Sequence, residues 1–262
     1  SCSWRMEASP LETLIVLPGR HVYLLEGHLA RLQSTAAALN CPCPSDEVFL
    51  ARVLDTAGDD SARAFRVRVV CLPDGELAVT ASPLPAPHVG FPMPDPAAQP
   101  LVVALDHVRV DAAAVSEHKT TARTVYDNAR SRVGAGSPGG PFDVLLANTR
   151  GEVTECGIAN IAVQDHPDKP WRTPPLAAGM VAGVMRGELL RQGFLAESTV
   201  TLQELEAIAK LQQESSSPHG RPWIPQVYCL NAVRGLFVVR VDLRQGEWAM
   251  SLDGGKEPVV TS

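Results

Sequence analysis

Basic charge is in short supply in this sequence. Twenty-three lysines and arginines face twenty-nine acids, a formal net charge of −6. That balance argues against nucleic acid as a partner, because phosphate backbones are held by basic surfaces. Long hydrophobic runs are missing too: no stretch approaches the roughly 20 apolar residues that cross a bilayer, so no membrane partner is expected. The opening SCSWRMEASP has no apolar core and does not read as a signal peptide. Six cysteines are scattered along the chain, and only Cys41 and Cys43 are close. Their C-P-C spacing is not the C-x-x-C of zinc or redox sites, and the histidines show neither H-x-x-x-H nor H-E-x-x-H. These gaps argue against a metal site and point to free thiols in a reducing, cytoplasmic compartment. No internal repeat or low-complexity segment is present.

What is there is ordinary globular material. The chain has 262 residues, 45% hydrophobic and 20% charged, enough for one large or two modest domains with a real core. Residues 11–16 (LETLIV) and 20–25 (RHVYLL) flank the turn LPG and predict a hairpin. Residues 27–40 carry Leu29, Leu32, Ala36 and Leu39 at helical spacing, stopped by Asn40 and Pro42. Ser45 caps a second helix, 46–57, with Asp46 and Glu47 where the dipole favours acids. Residues 64–71 alternate Phe65, Val67 and Val69 with Arg66 and Arg68, a strand with one wet face. Pro73-Asp74-Gly75 turns it into a partner strand.

The next stretch, SPLPAPHVGFPMPDPAAQP, holds seven prolines in 19 residues and cannot be regular structure. It reads as a linker over 86–99 between domains 1–85 and 100–262; the other reading is a long surface loop within one domain. Beyond it, 101–108 is a buried strand. Residues 142–165 hold two or three strands around the turn at 148–151, with Gly157 marking a bulge or a close backbone approach. A helix follows from about Gly183 to Gly193, then a short one at 201–209. Residues 212–225 read as a mobile insertion, and two strands flank the turn at 231–235.

Four features bear on chemistry. In SEHKTTARTVYDNAR (116–130), helical offsets of four and seven would bring Lys119, Arg123 and Tyr126 to one face. Such a face suits an anionic, aromatic or carbonyl ligand; it is equally the description of a solvated basic stripe. A lysine whose amine is desolvated can attack a carbonyl, since only the neutral form is a nucleophile. Glu155 stands in an apolar strand, where an acid needs a cation or a donor, such as a protonated pyridine nitrogen, unless that edge faces water. The glycines before the helix at 183–192 can aim backbone N–H groups at an anion, or can simply make a turn. Arg31 offers a fixed charge for phosphate, or is a surface arginine. An amine, a pyridinium partner and a phosphate cradle are together the demands of pyridoxal phosphate.

Five motifs in order carry a resemblance: EGHLARL (26–32), HKTTAR (118–123), NTRGEVTECGIANI (148–161), TPPLAAGMVAGVMR (173–186) and NAVRGL (231–236). The chain resembles the fold-type IV, or class IV aminotransferase, family of pyridoxal-phosphate enzymes, and the motifs span almost all of it. The resemblance implies a mixed α/β fold of two domains, with the cofactor in the cleft between them, usually as a homodimer. It makes Lys119 the Schiff-base lysine and Glu155 the partner of the pyridine nitrogen. Arg31, the backbone of Val184 and Met185, and the turn at Asn231 and Ala232 are implied as the phosphate site. Asn160 looks structural.

Three departures stand out. Many members carry a hydroxyl where this chain has Ala232, leaving the backbone or Asn231 to serve. The tyrosine many place five residues after the lysine is Thr124 here, with Tyr126 or Arg123 as substitutes. Members usually begin with another strand pair, where this chain has ten residues before LETLIV; mass spectrometry of the native protein would show where it starts.

The V-T-E-C-x-x-A-N form, the Asn-Ala pair at 231–232 and the short chain are most like aminodeoxychorismate lyase, a small-molecule enzyme that releases pyruvate and 4-aminobenzoate. Arg123 and Arg234 suit a substrate carboxylate, and Tyr126 shares their side of the site. The alternatives are an aminotransferase acting on a branched-chain amino acid, a D-amino acid or an R-amine, and a non-catalytic member of the fold.

Overall fold

The structure, a computed structural model, describes residues 8–60, 62–84, 99–214, 224–243 and 259–260. The expected linker, apart from Gln99, lies outside these residues, as does most of the expected insertion at 212–225. Residues 212–214 instead extend a helix.

The first sheet is built before residue 84. Strands β1 (Leu11–Leu17) and β2 (His21–Val22) precede helices α1 (Leu25–Leu39) and α2 (Asp46–Ala57); β3 (Phe65–Cys71) and β4 (Leu77–Pro83) follow. The order is β2-β1-β3-β4, antiparallel throughout. β2 is shorter than the predicted hairpin partner, because Leu24 turns left-handed (φ 54°) and α1 starts at once. Asn40 ends α1 in the same conformation, its N–H reaching the carbonyls of Ala36 and Ala37. The Ser45 hydroxyl accepts from the Val48 N–H at the start of α2.

Period-two alternation decides the faces of this sheet. Leu14 and Val16 on β1, with Val67 and Val69 on β3, pack against Leu32, Phe49 and Val53 of the helices. The opposite face carries Thr13, which pairs in register with Arg68, and Ile15, which pairs with Arg66.

The rest of the chain builds an eight-stranded second sheet and a separate two-stranded one. β5 (Leu101–Leu105), β6 (Arg109–Val110), α3 (Thr124–Val133), β7 (Asp143–Ala147), β8 (Val153–Cys156), β9 (Asn160–Gln164) and β10 (Trp171–Thr173) come first. Then follow α4 (Val184–Arg191), β11 (Leu195–Glu197), α5 (Leu202–Glu214), β12 (Gln226–Asn231) and β13 (Gly235–Asp242). Near the chain's end β14 (Val259–Val260) pairs with β6. The strand order is β11-β10-β9-β12-β13-β5-β7-β8, and β8 also pairs with β9, closing six strands into a barrel. Inside are Val103, Leu145, Ile161, Val227 and Val239, with Leu205 and Ala209 of α5 packed on them. β7 and β8 are buried at every position, the polar Asp143, Thr154 and Glu155 included, so neither strand has a wet face.

One expectation is corrected. The stretch 116–130 is helical only from Thr124, so Lys119 is not on the helix. Residues 9–11 instead pair with it: the Leu11 N–H donates to the Lys119 carbonyl at 3.0 Å, and Thr121 N–H to the Ser9 carbonyl at 2.9 Å. Lys119 therefore sits where the first sheet meets the barrel.

Phe49 is fully buried between α2 and the first sheet. Phe49→Ala is expected to lower stability by about 3–5 kcal/mol in urea unfolding.

Candidate active site

A cavity of about 300 Å³ opens at this seam, with Lys119 on its wall. The Lys119 amine has no hydrogen-bond or ion-pair partner among the described residues. Burial, reinforced by the positive charges of Arg31 and Arg123 and opposed by Glu12 and Glu155, brings its pKa down to about 8. It is thus an amine that yields its neutral form near physiological pH.

Glu155 faces the same cavity from β8, 4% exposed. Its Oε1 accepts from the Tyr126 hydroxyl at 2.6 Å and the Val181 N–H at 2.8 Å, and its Oε2 from Asn160 Nδ2 at 3.0 Å. Burial raises its pKa to about 7 against the pull of those hydrogen bonds and of Lys119 and Arg123. Asn160 also reaches the Val181 carbonyl at 2.9 Å, so the expected structural residue orients the acid.

Arg31 projects from α1 and is held from both sides. Its Nε and one terminal nitrogen donate to the two oxygens of Glu12 at 2.7 and 2.6 Å, while the other terminal nitrogen reaches the Ala182 carbonyl at 3.1 Å. A guanidinium has five N–H groups, so one on each terminal nitrogen stays uncommitted. Glu12 is buried, and His28 Nδ1 lies 2.7 Å from it. Burial pushes Glu12 up, but Arg31 and His28 outweigh it and hold the carboxyl at about 2.

Next to Arg31, α4 begins at Val184, and no side chain among the described residues caps it. The first N–H groups of a helix lack intrahelical acceptors, so the cavity receives a positive helix end. Gly183 precedes it: a Cβ there would lie 1.8 Å from Asn160 Oδ1. Only glycine fits this approach.

The sequence-predicted residues Lys119, Glu155, Arg31, Arg123, Tyr126, Val184, Asn231, Ala232 and Arg234 all border this one cavity. Met185 does not: its side chain is buried in the core with Trp171 and Leu189, leaving only its backbone near the helix start. The Asn231 side chain is also spoken for. Its Oδ1 accepts from the Val233 and Arg234 N–H groups and its Nδ2 donates to the Ile158 carbonyl, so its amide shapes the turn. Tyr126, expected as a substrate contact or a stand-in at the position of Thr124, instead has its hydroxyl committed to Glu155. Arg123 donates to the Gly157 carbonyl at 2.6 Å and lies 5.0 Å from the Tyr126 ring centre. Arg234 is exposed, stacked over Phe142 at 5.1 Å.

Three residues were missed. Glu12 was read as part of a hairpin strand, although an acid inside LETLIV was a signal of the same kind as Glu155. Arg66 and Arg68 were read as a wet face, and that face borders the cavity. No carboxylate is paired with either among the described residues.

A profile of the Amino-transferase class IV family matches residues 11–223. The chain belongs to this family. Its members are pyridoxal-phosphate lyases and aminotransferases, so the chain is an enzyme by descent, and the non-catalytic alternative is without support. A provisionally named aminodeoxychorismate lyase of Schizosaccharomyces pombe is 28% identical over 212 residues, 79% of this chain and 84% of the relative. The aminodeoxychorismate lyase of Saccharomyces cerevisiae is 33% identical over 109 residues, 37% of this chain and 29% of the relative. Among solved structures, a provisionally named amino-acid aminotransferase of Mesorhizobium loti matches with a TM-score of 0.71 and 29% identity, covering 90% of this chain and all of that one. The fold is that of the fold-type IV enzymes. No helix among the described residues is long and apolar enough to cross a membrane.

Two outcomes follow from the electrostatics. Reaction of Lys119 with trinitrobenzenesulfonate should rise with a midpoint near pH 8, since the deprotonated amine is the nucleophile, and vanish in Lys119→Ala. Glu12→Ala leaves Arg31 without its buried partner and should cost about 3–5 kcal/mol in urea unfolding at pH 7. Because the Glu12 carboxyl is depressed in the folded state, this loss should be full above about pH 4.5 and fade as pH falls toward 2.

Proposed function

We propose that the protein binds pyridoxal phosphate and cleaves 4-amino-4-deoxychorismate into 4-aminobenzoate and pyruvate. The observation that carries this reading is the charge of the cavity. Among the described residues Arg31, Arg66, Arg68, Arg123, Arg234 and Lys119 border it against one acid, Glu155, in a chain whose net charge is −6. A cofactor phosphate accounts for part of that excess. The remainder suits a substrate with two carboxylates, one on its ring and one on its enolpyruvyl arm. The names of the two fungal relatives lend support.

The residues present fit the cofactor. Lys119 offers an unpartnered amine for its aldehyde. Glu155 has accepted three hydrogen bonds of the roughly four a carboxylate can take, leaving a place for the ring nitrogen. Arg31, the N–H groups of Val184 and Met185 and the backbone at Ala232 suit the phosphate. We read residues 1–85 and 100–262 as the two domains that share this cavity, which agrees with their separate sheets.

Bound pyridoxal phosphate supplies an electron sink that acidifies the C–H bond beside the substrate nitrogen. The chain's own part is positioning and proton transfer. Arg66, Arg68, Arg123 and Arg234 hold the carboxylates. Lys119 Nζ, neutral near pH 8, takes the proton from the ring carbon that bears the amino group. The ring becomes aromatic as its C–O bond breaks, the electron pair leaving on the enolpyruvyl oxygen. Lys119 returns its proton to that enolate, giving pyruvate, so the overall reaction consumes no second substrate.

One observation favours a second reading, an aminotransferase for an apolar amino acid. A groove walled by Val108, Val110, Ala114, Val115 and Val125 adjoins Lys119. The two part on one assay. Purified enzyme should convert aminodeoxychorismate to 4-aminobenzoate and pyruvate without a keto acid; an obligatory keto acid would leave the aminotransferase. Arg66→Gln and Arg68→Gln should each raise KM about tenfold with kcat little changed, the loss of one charge-assisted hydrogen bond.

A further inference from the structure

Tyr126 is the third residue of α3, and packing fixes its ring. It is 8% exposed, set among Ala104, Val110, Ala129, Val144 and Leu146 where α3 lies on β7. That leaves its hydroxyl a single direction, toward Glu155 Oε1 at 2.6 Å. The short distance is that of a charge-assisted O–H···O⁻ bond. The other two donors to Glu155, Val181 N–H and Asn160 Nδ2, are neutral amides at 2.8 and 3.0 Å. The Arg123 guanidinium, 5.0 Å from the Tyr126 ring centre, polarises the phenol and makes it a stronger donor than it would be alone.

We propose that Tyr126 is a positioning residue that keeps the proton shared by Glu155 and the cofactor's ring nitrogen on the nitrogen. The inference rests on the reading that Glu155 meets that nitrogen. The physical argument is a competition for one proton. In a buried pair the proton can sit on nitrogen beside a carboxylate or on oxygen beside a neutral ring, and burial alone favours the uncharged arrangement. Each hydrogen bond donated to the carboxylate stabilises its ionised form. Tyr126 donates the shortest of the three, from a side chain that does no other polar work among the described residues. A ring nitrogen that keeps its proton is the stronger electron sink, so this hydroxyl governs how readily Lys119 removes its proton from substrate.

The test is Tyr126→Phe, which removes the donor and keeps the packed ring. In the holoenzyme loaded with pyridoxal phosphate labelled with ¹⁵N in its ring, the wild-type nitrogen should resonate as protonated. In Tyr126→Phe the signal should move toward neutral pyridine at the same pH, the nitrogen-to-oxygen proton ratio falling about tenfold or more. In the apoprotein, the ¹³C-carboxyl titration of Glu155 has its expected midpoint at about 7. It should rise by about one pH unit or more in Tyr126→Phe, the same tenfold change. Should Tyr126→Phe not fold, 3,5-difluorotyrosine at 126 keeps the shape with a more acidic hydroxyl and should lower that midpoint. A folded Tyr126→Phe enzyme that binds the cofactor and leaves the ¹⁵N shift unmoved overturns the proposal alone. Absence of cofactor uptake by the wild type overturns the underlying reading and the proposal together.

Discussion

The site hangs on the backbone pairing of residues 9–11 with 119–121. Through it the start of β1 and the Lys119 segment share hydrogen bonds, Leu11 N–H to the Lys119 carbonyl among them. This pairing brings the face of the first sheet that carries Thr13, Arg66 and Arg68 against the barrel rim that carries Glu155. It also puts Glu12, the next residue along β1, where it can grip Arg31 of α1. Arg31 in turn touches the Ala182 carbonyl just ahead of α4, so one guanidinium links the first sheet to the start of that helix. A shift of one residue in this register would turn Glu12 to the cavity face and Thr13 to the helix side, because strand side chains alternate.

Desolvation then sets the chemistry. Lys119 and Glu155 are pushed toward neutrality from opposite directions, to about 8 and about 7, by the same loss of water. Arginine charge lowers both: Arg31 and Arg123 push Lys119 further down, while Arg123 opposes the rise of Glu155. Glu12, equally buried, shows the other outcome. With Arg31 and His28 in direct contact it stays ionised down to about pH 2, and its role is to hold a cation still rather than exchange a proton. Burial creates the tension in both acids, and the partner decides how it is resolved.

The order of motifs was legible in the sequence, and so were most of the residues that border the cavity. Lys119, Glu155 and Arg31 are each weak signals alone, and it is their order along the chain, with the family resemblance, that singles them out. Lys119, Arg123 and Tyr126 do converge on one cavity, as their spacing predicts, but by another route. Their convergence is not helical, since α3 starts at Thr124. They meet because a strand pairing holds Lys119 and a helix packed on β7 holds Tyr126. Arg66 and Arg68 were visible as one face of a strand, but whether that face met water or a cavity depended on a barrel whose strands begin only at Leu101. Tyr126 was placed on the substrate side because its spacing was known and its direction was not.

The sequence by itself determined the local elements: Ser45 starts a helix, Asn40 ends one, and alternation in β3 separates apolar from basic residues. Local rules suffice there because the deciding interactions lie within a few residues. Only the tertiary structure decided which of the exposed-looking charges share a cavity. The Tyr126–Glu155 bond spans 29 positions and the Arg31–Ala182 bond 151. A hydrogen bond's partner, and with it a group's proton affinity, depends on distances of a few tenths of an ångström across such separations, which no spacing along the chain encodes.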